Sequence, residues 1–408
     1  MTRVVVTGMS VVTALGEDWQ TFEKKLKAKE SAVVYMSEWE KFEDLNTKLA
    51  APVTNFTKPA HFTRKKSRSM GRVSLMATYS AEKALEQAGL IGSDELTNGS
   101  TGVAYGSSTG SVAPILPFSQ MLTDGTMNGV TATSYIQMMP HTAPVNIAVY
   151  FGTKGRVHTT SSACTSGSQG IGYAYEAIKM GKQKIMIAGG GEELCPTEAA
   201  VFDTLYATSV KNDTPQSTPR PFEKDRDGLV IGEGAGTLIL EEYEHAKQRG
   251  ATILAEIVGF GTNSDGMHVT QPEQSTMRVA MELALEDAKI DKSVIGYVNA
   301  HGTATDKGDI AESNATAELF GKVPLSSLKS YLGHTLGACG AIEAWACINM
   351  LNSGWFAPTL NLDNVDPECG DLDYITGDGV EIDTEYVMSN NFAFGGINTS
   401  IIFKKWHN

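Results

Sequence analysis

Apolar residues along the chain come in short unbroken runs, each followed by a longer stretch in which they recur every third or fourth position. Val4-Val5-Val6, Gly102 to Tyr105, Lys184 to Ala188, Thr237 to Leu240, Tyr297 to Ala300 and Thr399 to Phe403 read as buried strands. Ser74 to Ala88, Ser168 to Met180 and Met277 to Ala288 read as amphipathic helices. Such alternation predicts an α/β fold with helices layered on sheets. A seam near Gly250, after the polar helix Glu241 to Arg249, divides the chain into residues 1–250 and 251–408.

The pattern also repeats. Laying Cys164–Met180 over His334–Met350 without a gap matches Thr165 with Thr335, Gly167 with Gly337, Gly170 with Gly340, Ala174 with Ala344, Ile178 with Ile348 and Met180 with Met350. Both segments follow a turn rich in small residues. Both lead to an apolar strand and a second glycine-rich loop, Gly189-Gly190-Gly191 in one half and Gly395-Gly396 in the other. The chain reads as a duplicated unit in which Cys164 and His334 hold the same place, at the mouth of a helix.

Bulk numbers narrow the function classes. With 408 residues, 41% hydrophobic and 20% charged, the chain is long enough for one large duplicated body. Its net charge of −14 disfavours general nucleic-acid binding, so an acidic partner would need a local basic patch. Arg64, Lys65, Lys66, Arg68 and Arg72 form such a patch, with no acid between Phe62 and Arg72. Five cysteines without a C-x-x-C pair suggest neither a disulfide framework nor a ribbon-type zinc site, and fit a reducing cytoplasm. Strand-like sequence from Arg3 leaves no room for a secretory leader, and no apolar run is long enough for membrane insertion.

Three residues carry the candidate chemistry. Cys164 lies among small residues where a helix begins, a setting that predicts a depressed thiol pKa through the helix macrodipole. His301 directly follows the strand Tyr297 to Ala300, and His334 stands between a strand-like segment and a helix, close to Lys329. A shared metal ion is disfavoured, because the three lack short ligand spacing and acidic companions. Gly232-Glu233-Gly234-Ala235-Gly236 leads into a strand rather than a helix, which excludes a dinucleotide loop.

These residues sit in Ser162-Ala163-Cys164-Thr165-Ser166-Gly167, Asn299-Ala300-His301-Gly302-Thr303-Ala304-Thr305 with Gly308-Asp309, Lys329-Ser330 with Gly333-His334-Thr335-Leu336-Gly337, and Asn391-Phe392-Ala393-Phe394-Gly395-Gly396. Over nearly its whole length the chain resembles the elongating β-ketoacyl-acyl-carrier-protein synthases of the thiolase superfamily. The resemblance implies a thiolase-like duplicated αβαβα layered fold and a homodimer, a heterodimer with a related chain being the alternative. It implies decarboxylative condensation of an acyl group with a malonyl unit on acyl carrier protein, without metal or redox cofactor. Cys164, His301, His334 and Lys329 would be the catalytic set, and Glu343 the partner of Lys329. Asp309 and Glu312 would stand behind it. Thr303 and Thr305 would hold the pantetheine arm, Phe394 with Ala393 would gate the acyl chain, and the basic patch would dock the carrier. Leu332, Asp306, Ala393 and Ile397 depart from the family pattern and put substrate identity in question. A silent partner subunit is disfavoured by the complete Cys-His-His set. A thiolase acting on coenzyme A thioesters is disfavoured by the absence of a second cysteine from Asn390 to Asn398.

Overall fold

The computed structural model describes residues 2–407. Its first half contains β1 (Val4–Val12), α1 (Arg72–Gln87), β2 (Thr101–Gly106), α2 (Thr142–Phe151), β3 (Val157–Thr160), α3 (Ser166–Lys179), β4 (Ile185–Glu192) and β5 (Gly234–Glu242). The second half contains β6 (Ala255–Ser264), α4 (Gln274–Ala288), β7 (Ile295–Asn299), α5 (Asp306–Phe320), β8 (Pro324–Ser326), α6 (Cys339–Ser353), β9 (Tyr386–Ala393) and β10 (Ile397–Lys405). The large sheet runs β8-β7-β9-β10-β6-β1-β5-β4-β2-β3, with a short strand at Asp373–Tyr374 outside β8. Read outward from the centre in either direction, the order is the same, which is duplication expressed as topology. Among the described residues, the halves join within the sheet only where Val4–Val6 pairs antiparallel with Ala255–Ile257.

The strand period of two assigns each side chain to a layer. Ile185 and Ile187 point outward to pack beneath α1 and α2, while Met186 and Ala188 point inward toward α3 and α6. In the second half Val298, Met388 and Ile402 pack outward with residues of α4 and α5. The central helices are therefore enclosed between the two halves of the sheet, giving the five αβαβα layers. Helix α6 is buried almost all round, as this position requires.

The repeat is present, but its register is corrected by three residues. A short 3₁₀ turn, Ala163–Thr165, opens α3, and its counterpart opening α6 is Leu336–Ala338. Both turns start on a residue with positive φ, 51° at Ala163 and 47° at Leu336. Cys164 thus corresponds to Gly337, not His334. Across the centre, a Cβ on Gly167 would lie 3.0 Å from Ala341 N, and one on Gly340 would lie 2.7 Å from Ser168 N. These two approaches are mirror relations of one contact about the pseudo-twofold. The ungapped match arose because both helices are rich in small residues.

Candidate active site

Three loops deliver the reactive side chains. Cys164 stands on the turn before α3, with its backbone aimed by the left-handed Ala163. His301 follows the end of β7, and Glu312 of α5 accepts the N–H groups of His301 and Gly302 at 2.6 and 2.7 Å. Asp309, one turn earlier on the same helix face, accepts from Thr303 and Ala304 at 3.1 and 3.2 Å and from Phe222 at 2.7 Å. Two buried acids therefore pin the His301–Thr305 loop. His334 donates its backbone N–H to Val230 O at 2.6 Å, and its carbonyl accepts from Gly232 at 2.9 Å. Gly232 is needed for that approach, since a Cβ there would lie 2.4 Å from Leu332 O. The segment Gly232 to Gly236 thus has a packing role at the second histidine.

The reactive groups converge. His334 Nε2 lies 2.9 Å from Cys164 Sγ, and the two imidazoles are perpendicular with centroids 5.2 Å apart. One ligand atom each from Cys164, His301 and His334 fall within 4.8 Å of one another. The Lys329 charge beside them would oppose a divalent ion, and no carboxylate joins the set. Lys329 is buried against Glu343 Oε1 at 2.5 Å, and the other Glu343 oxygen accepts from Asn391 Nδ2 at 2.7 Å. This contact orients the Asn391 amide so that its N–H faces His301 Nδ1 at 3.4 Å. With Nδ1 as acceptor, His301 carries its proton on Nε2, available as a donor.

Burial pushes both histidines well below their ordinary pKa, and the Lys329 charge adds to this. Both rings are neutral donors at neutral pH. Burial opposes the Lys329 charge too, but Glu343 outweighs it and holds the ammonium pKa above its ordinary value. The thiol departs from expectation. Burial raises Cys164 to about 11, while Lys329 and the backbone N–H groups of Phe394 and Cys164 pull it down. The partial charge of a helix end does not repay desolvation of a thiolate, so the resting state is a thiol with His334 as hydrogen-bond partner. Those two N–H groups facing the sulfur are also placed to receive an oxyanion.

A cavity of about 470 Å³ opens above the cysteine. Its lining includes Phe202, Thr303, Thr305, Lys307, Ala393 and Phe394. Thr303 and Thr305 hydrogen-bond each other at 2.9 Å. Phe394 packs on Phe202 with centroids 5.1 Å apart.

Comparison with known proteins gives this geometry a lineage. The family description "Beta-ketoacyl synthase, N-terminal domain" matches residues 1–246, and "Beta-ketoacyl synthase, C-terminal domain" matches residues 254–363. The chain belongs to the β-ketoacyl synthase family. It is 37% identical to a 3-oxoacyl-[acyl-carrier-protein] synthase 2 of Vibrio harveyi, covering 99% of this chain and 98% of the relative. A crystal structure of a β-ketoacyl synthase from Burkholderia phymatum STM815 superposes with TM-score 0.99 at 63% identity, over the full length of both chains. The ishigamide ketosynthase/chain length factor superposes at TM-score 0.90 and 29% identity, again over both full lengths.

Seen as a β-ketoacyl synthase, the chain brings together Cys164, His301, His334, Lys329, Glu343, Asp309 and Glu312. It does not keep Arg72 in the basic patch. Arg72 Nε and Nη2 bind the buried Glu233, and Nη2 also reaches Val53 O, so this residue is structural. Arg64, Lys65, Lys66 and Arg68 are exposed around the short helix Arg64–Ser67 and lie outside the cavity lining. Ala393 ends β9 opposite Ile397, and the left-handed residues come later, at Gly395 and Gly396. In this conformation Ala393 therefore bears no backbone strain. Asp306 begins α5 and sits 3.4 Å from Arg226, while Leu332 is buried in the core. Asn391, Phe202 and Cys339, whose Sγ lies 3.2 Å from Cys164 O, were not singled out by sequence. Asn391 stood inside a motif noted above; a buried polar residue in a strand was the available signal.

Proposed function

We propose that this chain is a β-ketoacyl-acyl-carrier-protein synthase acting in fatty-acid or related polyketide or aryl-polyene synthesis. The observation that carries the reading is a buried cysteine with two neutral imidazoles around it and two backbone N–H groups at its sulfur. Cys164 Sγ attacks the carbonyl carbon of an acyl thioester, and the carrier's pantetheine thiol leaves with the proton. A malonyl thioester then occupies the cavity and loses CO₂. The His301 and His334 N–H groups stabilise the enolate oxygen. The enolate carbon attacks the acyl-Cys164 carbonyl, whose oxygen takes the N–H groups of Cys164 and Phe394. Collapse expels the Cys164 thiolate, which takes a proton from solvent to restore the resting thiol, and releases a β-ketoacyl carrier. Neither metal nor redox cofactor enters these steps.

Thr303 and Thr305 hold the pantetheine arm in this reading, and Arg64, Lys65, Lys66 and Arg68 attract the acidic carrier. A homodimer is the proposed assembly. Strand β3 forms a free sheet edge with Val157 exposed, and the helix Ile115–Asp124 has no buried residue, leaving Leu116 and Leu122 open. Among the described residues no helix is long and apolar enough to cross a membrane. The test is intact-mass analysis with a panel of acyl carriers followed by malonyl carrier. An acyl adduct on Cys164 that disappears with release of CO₂ and a β-ketoacyl carrier is expected; malonyl carrier consumed without any adduct would overturn the reading.

A further inference from the structure

One buried thiol beside the nucleophile has no task in these steps. Cys339 opens helix α6 and is buried. In the register set by the two 3₁₀ turns, its counterpart at the start of α3 is Ser166. The two equivalent positions behave differently. Ser166 Oγ turns back on its own half, donating to Ala163 O at 2.7 Å and accepting from Ser162 N at 3.0 Å. Cys339 reaches across the pseudo-twofold instead, and its Sγ donates to Cys164 O at 3.2 Å.

The thiol is tied on its other side as well. The Asn391 amide has two N–H groups to give. Its nitrogen lies 2.7 Å from Glu343 Oε2, 3.4 Å from His301 Nδ1 and 3.7 Å from Cys339 Sγ. Cys339 therefore joins the peptide of the nucleophile to the side chain that orients His301. Burial pushes the Cys339 thiol well above its ordinary pKa against the pull of Lys329, so it remains an S–H donor. Cys339 lies outside the lining of the cavity over Cys164 and takes no acyl group itself.

A carbonyl oxygen is the negative end of its peptide dipole. Cys164 O belongs to the residue whose sulfur must lose its proton, in a buried site where each nearby dipole weighs heavily. A donor on that oxygen draws its charge away from the sulfur and keeps the peptide turned toward α6. We propose that Cys339 is a positioning residue for the nucleophile, its S–H holding the Cys164 carbonyl toward α6 and so easing formation of the Cys164 thiolate. This rests on the reading of Cys164 as the acyl-bearing nucleophile.

The experiment measures alkylation of Cys164 by iodoacetamide in the full-length protein, read by mass on the peptide that carries it, between about pH 7 and pH 9. Below the thiol pKa the rate follows the thiolate fraction and rises with pH. C339A removes the donor, and its rate should lie about three- to tenfold below the wild type at every pH, the effect of one lost hydrogen bond. C339S keeps a donor and should restore the rate. The pair C339T and C339V, alike in shape but with a donor only on threonine, makes the same comparison if alanine is not tolerated. Denaturation midpoints separate this from packing, since the rates should follow the donor and not the stability. Donor-free variants alkylated as fast as the wild type overturn the proposal, and so do C339S and C339T as slow as their donor-free partners. Wild-type protein that is alkylated at Cys164 but takes no acyl group from any thioester fails the nucleophile assignment, whereas equal alkylation rates fail only this proposal.

Discussion

At the mouth of α3 the turn Ala163–Thr165 presents a thiol; at the mouth of α6 the matching turn Leu336–Ala338 presents Gly337, which has no side chain. The first half keeps its nucleophile at the turn itself. The second half brings its chemistry from just upstream and from deeper in: His334 and Lys329 precede the turn, and Glu343 lies one turn inside α6. One backbone plan thus serves covalent capture on one side and charge control on the other. A Cβ on Gly337 would lie 2.7 Å from Glu192 Oε2 and 2.8 Å from Ser108 N, and the Gly337 N–H binds Glu192 instead. Duplication supplied two equivalent turns, and function required that only one be reactive.

Separating the halves gives the largest effect. Cys164→Ala should reduce condensation to background and abolish the acyl adduct seen by intact mass, while decarboxylation of malonyl carrier, which needs only the second half, should persist. Loss of both together would mean that the two loads are not divided as described.

His301→Ala and His334→Ala should each lower condensation by about 10² to 10³ fold. His301→Ala should spare Cys164 acylation, and His334→Ala should not, because only His334 touches the sulfur in the resting site. Single-turnover acylation rates separate the two. The same rings carry a pH signature. Their folded pKa values lie well below the ordinary 6.5, so below about pH 6.5 the unfolded chain takes up protons that the folded site refuses. Their contribution to stability is complete above that pH and falls as the pH drops. His334→Asn should flatten this acid-side decline, read as denaturation midpoints between about pH 7 and pH 5.5.

Glu343→Gln leaves the buried Lys329 without its counter-charge and should destabilise the fold by about 3–5 kcal/mol, measured by chemical denaturation. The corresponding position in the first half, Gly170, has no charge to lose, and a conservative change there would act through packing alone. The smallest effect belongs to the surface. Reversing Lys65 and Arg68 to glutamate should raise the carrier KM several-fold in low salt and leave small thioesters unaffected. An equal response of both substrates would exclude the patch as the dock.

Much of this was legible from pattern. The strands around Ile187, Leu240 and Val298 are continuous apolar runs because helices cover both their faces. β9 was legible only as a strand leading to Gly395-Gly396 and its bounds were not, because Ser389, Asn390 and Asn391 place polar groups in the middle of a buried strand. Their burial is explained only by partners far away in sequence, such as Glu343 at the Asn391 amide. The Cys164 environment misled for a related reason: the helix beginning is visible in sequence, but the depth of burial is not. Arg72 looked like its basic neighbours until Glu233, far along the chain, proved to hold it. Electrostatics of this kind depends on contacts that adjacent residues do not encode.

The glycine crossing of α3 and α6 sets a mechanical tolerance. Where Gly167 and Gly340 meet the opposing backbone, the spacing of the helices is determined by main-chain atoms, not by side chains that can repack. The distance between the turn bearing Cys164 and the loop bearing His334 is therefore a dimension of the scaffold. Substitutions elsewhere in the core can change stability while leaving that dimension untouched. Divergence in what the site accepts is then channelled to the walls, Phe202, Ala393 and Phe394 among them, which can vary without detuning the gap where bonds are made and broken.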